Sequence, residues 1–506
     1  MTAPRVEATD LAEALPDPAT APDVLYNPSL ETLRELAVPD ETTTEFGSPA
    51  YVSEQRSRSA DCTANLVDDE FADADWAAIE DALEEAAGMD LVCLDRRVGR
   101  DPANAYVCRL YVPEEYARIA LAWAKLLEPA EGEPDFRTLQ LPDWDEREGR
   151  RRRIRVLPEA GLTFVLGSDY TGEAKKSFLR LFMYRAKQAG GLGLHAGSKR
   201  VRVERDGQLE TVGQAFLGLS ATGKSTLTGH GCWLEDPEGA EMLQDDVCAL
   251  LPDGRVVGSE GAGLYIKTDG LDEDEQPQLY RAATHESAVF ENVTVYGDGT
   301  VDFHDTELTR NGRAVIQRAY LESAPEDIDL EELDQVFFIT RNPLMPPVAR
   351  LSPEQAAVAF MLGESIQTSA GDPDAAGESI RVVGTNPFII GPPGEEGNRF
   401  YELLAENDVE AFVINTGHVG PAKADVGVRE SVSILVAAAC GDIEWTADDV
   451  LGLEVPENVP GTNVQVFYPP DHYEDYEAAL ADLRAERREY LAQFDALDDR
   501  IADAVY

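Results

Sequence analysis

The sequence predicts an α/β chain of two domains, a mixed α+β N-terminal domain and a C-terminal mononucleotide-binding domain built on a phosphate loop. Three observations carry that reading. From about Tyr51 onward, apolar runs of strand length alternate with amphipathic runs of helical length. GLSATGKST, from Gly218 to Thr226, matches G-x-x-x-x-G-K-[ST], a loop whose backbone N–H groups cradle nucleoside phosphates. An apolar strand, QAFLGL, precedes that loop, and STLTGHGCWL follows it as the opening of a helix.

Along the chain, Met1 to about Ala50 is acidic and rich in Pro, Ala and Thr, which predicts one or two peripheral helices. Between Tyr51 and Gln208, the strand-like LVCLDRRV, AYVCRLYV and LTFVLGSDY alternate with the helical DWAAIEDALEEAA, YARIALAWAKLL and KKSFLRLFMYRAKQ. GRRRRIRV is the one basic cluster and reads as a solvated strand edge or a salt-bridge partner for the acidic surface. These segments form the first domain, residues 1–210, with 1–50 peripheral. The second, 211–506, starts at the phosphate-loop unit and continues through GLYIKT, ENVTVYGDGTVDF, QVFFIT and AFVINTG, with turns at GDG and NTG. LQDDVCALL reads as a further apolar strand holding Asp245 and Asp246. An acidic amphipathic helix, YEAALADLRAERREYLAQFDAL, closes the chain.

Composition narrows the function classes. Asp and Glu number 96 against 43 Lys and Arg, a formal net charge of −53, and the acids are spread over every segment. Such a surface predicts solubility in concentrated salt, where self-repulsion is screened, and hence a halophilic cytoplasm. It argues against nucleic acid or an anionic membrane as a partner. The six cysteines are dispersed with no C-x-x-C pair, which suits a reducing compartment. MTAPRVEATDLAEAL lacks an apolar signal core, and no stretch approaches the ~20 apolar residues that span a bilayer. Only eight residues are lysine; the remaining 35 of the 43 basic residues are arginine. Several of the eight fall in candidate motifs.

In the phosphate loop, the amides from Ser220 to Ser225 are placed to wrap a β-phosphate, Lys224 to reach β- and γ-oxygens, and the Ser225 hydroxyl to ligate Mg²⁺. Upstream, SDYTGEAKKSF carries adjacent Lys175 and Lys176, and GLGLHAGSKRV places His195 at a strand end. His195, a nearby lysine and the Asp245/Asp246 pair form a credible N/N/O set for a divalent ion. A lysine joins such a set only as the neutral amine, with its pKa depressed by the metal and by burial.

At this point the sequence resembles the ATP-dependent phosphoenolpyruvate carboxykinase family. YTGEAKK, LHAGSK, GLSATGKST, QDDV, EGAGLYIKT, ENVTV with GDGTVDF, and MPPVARLSPEQ stand in that family's order over roughly Tyr170 to Gly420. A weaker trace, SRSADC, lies near Arg58. The resemblance implies a carboxykinase-like fold and the gluconeogenic reaction of oxaloacetate and ATP to phosphoenolpyruvate, ADP and CO₂. It assigns Lys176, His195 and Asp246 to a transition metal, usually Mn²⁺, and Ser225 to the Mg²⁺ of the nucleotide. Lys224 and Lys267 contact phosphates, within a nucleotide site formed by Gly218, Leu219, Ser220, Ala221, Thr222, Gly223, Lys224, Ser225 and Thr226. Arg58, Tyr170, Ser220 and Arg313 handle oxaloacetate or phosphoenolpyruvate. The implied chain is a monomer or small homo-oligomer with small-molecule partners.

The sequence also departs from the family. Ala221 stands where the loop has Gly, Gln244 where Gly precedes the Asp pair, and Ala424 where an arginine serves the adenine end. Glu430 or Ser431 occupies the place of a threonine there, and Lys423 and Arg429 are the basic residues nearby. The loop lacks the cysteine of GTP-dependent relatives, which favours ATP. Two alternatives share the phosphate loop: a kinase acting on another small molecule or a protein, and a weakly catalytic nucleotide-binding regulator.

Overall fold

The computed structural model describes residues 8–57, 59–146, 150–205, 207–219, 222–274, 276–366 and 379–506. It resolves into two compact units, each made of two stretches of chain: Met1–Tyr184 with Ser259–Glu322, and Arg185–Gly258 with Ser323–Tyr506. The boundary expected at 210/211 falls inside the strand Gln208–Leu217, which pairs residue by residue with Ala196–Arg205. A hairpin of ten paired residues on each side is a single cooperative element, so the units part elsewhere. GLYIKT and ENVTV, expected in the second domain, belong to the first unit.

The first unit is a mixed α/β structure with two larger sheets and a two-stranded ribbon, Thr294–Val295 with Val301–Asp302. One runs Val24–Tyr26, Leu91–Val98, Tyr106–Pro113, Phe136–Leu141, Leu162–Leu166, Arg153–Leu157 and Thr63–Asn65. The other runs Gly263–Lys267, Arg313–Gln317, Val289–Glu291, Pro49–Tyr51 and Thr42–Thr43. The helix Ala117–Leu126 touches strands of both larger sheets and is buried along almost its whole length, which is why ARIALAWAKL is apolar apart from Arg118 and Lys125. Apolar residues of Asp73–Ala86 pack on the first sheet, with Ile79, Ala82, Cys93 and Phe164 fully enclosed. Three arginines of the basic cluster meet acids: Arg153 and Arg155 share Asp75 at 2.6 and 2.7 Å, and Arg150 meets Glu85 at 2.5 Å, while Arg152 donates to the Gly167 carbonyl.

The second unit centres on an eight-stranded mixed sheet. Its order is Gly239–Gln244, Ala196–Arg205, Gln208–Leu217, Gln335–Thr340, Glu410–Asn415, Val348–Leu351, Leu453–Asn458 and Glu444–Asp448. Gln208–Leu217, Gln335–Thr340 and Glu410–Asn415 are adjacent and parallel, so their three C-terminal loops open at one edge. Helices Pro353–Leu362 and Pro393–Glu406 enclose one core with the sheet, and Val428–Cys440 contributes to another. Tyr476–Leu491 is helical as its periodicity predicts, with Leu480, Leu483 and Leu491 buried.

The Asp245/Asp246 expectation is corrected. The strand ends at Gln244, a second strand begins at Cys248, and the two acids occupy the bend between them. Gly239–Gln244 belongs to the eight-stranded sheet and Cys248–Leu250 to a separate three-stranded one, so the chain changes sheets where the charges lie. Carboxylates inside either strand would face apolar neighbours without solvent or partner. Among the described residues, no helix is long and apolar enough to cross a membrane.

Candidate active site

The glycine loop starts where Gln208–Leu217 leaves the sheet. Gly218 has no room for a side chain: a Cβ there would lie 2.7 Å from Thr222 Oγ1 and 3.0 Å from Ile339 Cβ. The Leu219 carbonyl accepts from Thr222 N (3.3 Å) and Thr222 Oγ1 (2.7 Å), which folds the loop back on itself. Gly223 takes φ +97, a conformation L side chains avoid, and caps the short helix Lys224–Gly229. From the neighbouring NTG turn, Thr416 Oγ1 donates to the Thr222 carbonyl at 2.6 Å. Strand, glycine loop and helix therefore stand in the expected order. Ser225 and Thr226 lie on the first turn of that helix, with Ser225 exposed. Ser220 and Ala221 lie outside the described residues, as does Arg58.

Beside this loop, the second unit gathers His195, Lys224 and Asp246. His195 sits between the strands Leu192–Leu194 and Ala196–Arg205. Its Nδ1 is 2.6 Å from the Thr385 carbonyl, which can only accept, so Nδ1 carries the proton. Thr385 holds a left-handed φ of +50, and Phe388 packs edge-on to the imidazole. Nε2 then presents its lone pair 3.0 Å from Asp246 Oδ1, and Lys224 Nζ donates to Nε2 at 3.3 Å. Lys224 Nζ also lies 3.9 Å from Asp246 Oδ1. Burial, and then the Lys224 ammonium, hold His195 below the usual imidazole range, so its ring is neutral at neutral pH.

Two electron-pair donors facing each other at 3.0 Å need a cation, a place that the Lys224 ammonium takes here. Adjacent ligand atoms on an octahedral ion at about 2.1 Å are about 3 Å apart, so the pair suits a divalent metal without rearrangement. Asp245 Oδ1 is buried and has no hydrogen-bond partner among the described residues, a second sign that positive charge belongs at this bend. No cluster of three or more His, Cys, Asp or Glu among the described residues is arranged as a metal cage, so His195 and Asp246 form a pair that needs other ligands.

The first unit holds Tyr170, Lys176, Lys267 and Arg313 among aromatic and cationic side chains. Tyr170, fully buried, leads into the helix Thr171–Gln188; a Cβ on Gly172 would lie 2.3 Å from its ring, so glycine is required there. The Tyr170 hydroxyl accepts from Asn311 Nδ2 at 3.2 Å, and Asn311 Oδ1 accepts from Arg313 at 2.8 Å. Lys176 Nζ stands 5.8 Å above the Tyr170 ring and the Arg313 guanidinium 5.4 Å above Tyr265. Lys267 pairs directly across from Arg313 in the sheet register and meets Asp269 at 3.3 Å. Lys175, the twin of Lys176, is committed to Glu260 at 3.0 Å.

Glu430 and Ser431 have local duties at the start of the helix Val428–Cys440: Glu430 accepts from Gly427 N at 3.0 Å and the Ser431 hydroxyl donates to the Gly427 carbonyl at 3.0 Å. Lys423 and Arg429 are exposed. Thr385 and Thr416 escape sequence reasoning because each acts through a contact remote along the chain, as does Asn311 on Tyr170.

Fold and site together define a mixed α/β protein with a strand–glycine loop–helix and a neutral imidazole, a lysine and a carboxylate converging beside it. The chain belongs to the phosphoenolpyruvate carboxykinase family, whose profile matches residues 24–465. It is 35% identical to the phosphoenolpyruvate carboxykinase (ATP) of Aeropyrum pernix over 93% of this chain and 94% of that one. Identity to the protein of the same description from Azorhizobium caulinodans is 30%, over 84% and 81%, and to that of Chelativorans sp. 29%, over 81% and 77%.

Proposed function

We propose that this chain decarboxylates oxaloacetate and phosphorylates the resulting enolate from ATP, releasing phosphoenolpyruvate, ADP and CO₂. The convergence of Lys224, His195 and Asp246 beside the glycine loop carries the reading, together with family membership. Loss of CO₂ leaves an electron pair delocalised as an enolate, and transfer of a phosphoryl group loads negative charge on its oxygens. Both steps need fixed cations and positioning more than covalent help.

The residues divide that work. Lys224 brings its ammonium to the phosphate chain while the loop amides hold it in place. Arg313, oriented by Asn311, offers a planar fork to a substrate carboxylate, with Tyr170 beside it. His195, its tautomer fixed by the Thr385 carbonyl, and Asp246 would hold a divalent ion, with Lys176 assigned to that ion on its motif alone. When bound, such an ion, Mn²⁺ here and Mg²⁺ at Ser225, supplies Lewis-acid stabilisation of the enolate and phosphate oxygens. The acidic surface fits a cytoplasm rich in salt, and the buried cationic groups supply the local field that draws in anionic substrates.

The test is direct: purified protein in molar KCl with oxaloacetate, ATP, Mg²⁺ and Mn²⁺, followed for phosphoenolpyruvate. No product under those conditions sinks the proposal, and GTP in place of ATP reads the nucleotide. His195→Ala is expected to lose the Mn²⁺ dependence and most turnover while keeping ATP binding. Normal activity in that variant would remove the metal assignment.

A further inference from the structure

Arg341 is the one residue beside the glycine loop whose charge the described structure leaves unanswered. It directly follows Gln335–Thr340, the middle of the three parallel strands, between the glycine loop at the end of Gln208–Leu217 and the NTG turn at the end of Glu410–Asn415. Open α/β sheets bind ligands outside the carboxyl ends of such strands. The backbone on either side is locked. The Thr340 carbonyl accepts from Thr416 N at 3.0 Å, and Asn342 Nδ2 donates to Glu364 at 2.9 Å. The side chain stem lies over Gly417, where a Cβ would come within 3.1 Å of Arg341 Cβ and 3.2 Å of Cγ. Thr416, in the same turn, holds the glycine loop through the Thr222 carbonyl.

The guanidinium is half-buried, Nε is fully buried without a hydrogen-bond partner, and no carboxylate among the described residues pairs with it. Burial lowers its pKa, with no neighbouring acid to offset the effect. In a chain with 96 acids the contrast is plain: Arg487 and Arg381 in the same unit, and Arg109 and Arg118 in the other, each bond a carboxylate within about 3 Å. A desolvated cation without an anion is costly unless a ligand supplies one.

We propose that Arg341 is a binding residue for the phosphate chain of the nucleotide, reaching it from the strand end beside the glycine loop. The inference rests on the reading of that loop as a nucleotide site. It gives this chain an inward-held cation where Lys423 and Arg429 are exposed.

The test uses the full chain in molar KCl with Mg²⁺. Binding of ADP and of inorganic tripolyphosphate is measured by calorimetry for the wild type, Arg341→Met, Arg341→Lys, Lys423→Ala and Arg429→Ala. Methionine keeps the stem over Gly417, and a thermal midpoint for each variant separates unfolding from lost affinity. Arg341→Met is expected to weaken both ligands by the same factor, about 10- to 100-fold, as loss of a charge-assisted hydrogen bond does. Arg341→Lys is expected to recover part of it, and the two exposed sites to change little. Wild-type affinity in a folded Arg341→Met, or weakening of ADP alone, overturns the proposal. If the wild type binds both ligands through Arg341 yet forms no phosphoenolpyruvate, the carboxykinase reading falls and this one stands.

Discussion

Replacing Glu364 by glutamine tests whether a buried charge network holds the floor beneath the strand-end loops. Glu364 accepts from Arg487 at 2.8 and 3.2 Å, from Arg381 at 3.0 and 3.1 Å, and from Asn342 Nδ2 at 2.9 Å. All three charged side chains are largely buried, with Glu364 at 5% and Arg487 at 2% exposure. Burial raises the Glu364 carboxyl, but the two guanidinium groups and Asn342 outweigh it and bring it to about 2 against an ordinary 4.5. At about 1.4 kcal/mol per pH unit, that difference corresponds to a contribution on the order of 3 kcal/mol. Truncating one partner of a buried pair costs about 3–5 kcal/mol, because it strands the other charge. Glu364→Gln should therefore lower the stability of the second unit by about 3 kcal/mol at neutral pH. The sign of the pH effect follows from the depressed carboxyl. Its contribution is complete above about 4.5 and is lost as pH falls toward about 2. The assay is urea unfolding followed by circular dichroism, at neutral pH and across that acid range, in two concentrations of KCl. The wild type should lose its advantage over the variant on acidification, and added salt should leave the neutral-pH difference nearly unchanged, since buried pairs are poorly screened. A neutral-pH difference below about 1 kcal/mol, typical of an exposed pair, would refute the reasoning.

Gly218→Ala should keep the fold but displace Thr222 and with it the glycine loop, because the new methyl has only 2.7 Å to Thr222 Oγ1; ADP affinity unchanged from wild type, read by calorimetry, would show the loop tolerates it. The net charge of −53 predicts a thermal midpoint that climbs steadily from about 0.1 M to about 1 M KCl, as the screening length drops from about 10 to about 3 Å. A flat response in differential scanning calorimetry would remove the argument for a salt-adapted surface.

The local sequence signals survive best where the chemistry is local. The glycine loop, the strand before it and His195 at a strand end were legible, because spacing and turn chemistry decide them. LQDDVCALL misled because its apolar flanks read as one strand, whereas the charged pair is where the chain crosses from one sheet to another. The domain boundary was illegible for a related reason. Nothing local tells Ser259–Glu322 that its strands will pair with Pro49–Tyr51 rather than with the sheet that precedes it in sequence. The groups that orient the site, Thr385 on His195 and Thr416 on Thr222, are 190 and 194 residues from their partners, beyond any window of periodicity.

Because each unit is assembled from two stretches of chain, synthesis and folding cannot run in step from one end to the other. The first unit lacks three of the five strands of its second sheet until Ser259–Glu322 has left the ribosome. The second must wait for its later stretch, Ser323–Tyr506, within which Arg487 donates to the Tyr506 carbonyl at 2.6 Å. Nascent chains stalled between the two would carry the finished glycine-loop motif long before its neighbouring strands Gln335–Thr340 and Glu410–Asn415 exist. A truncated product would therefore leave the edge of Gln208–Leu217 open to pairing with another chain.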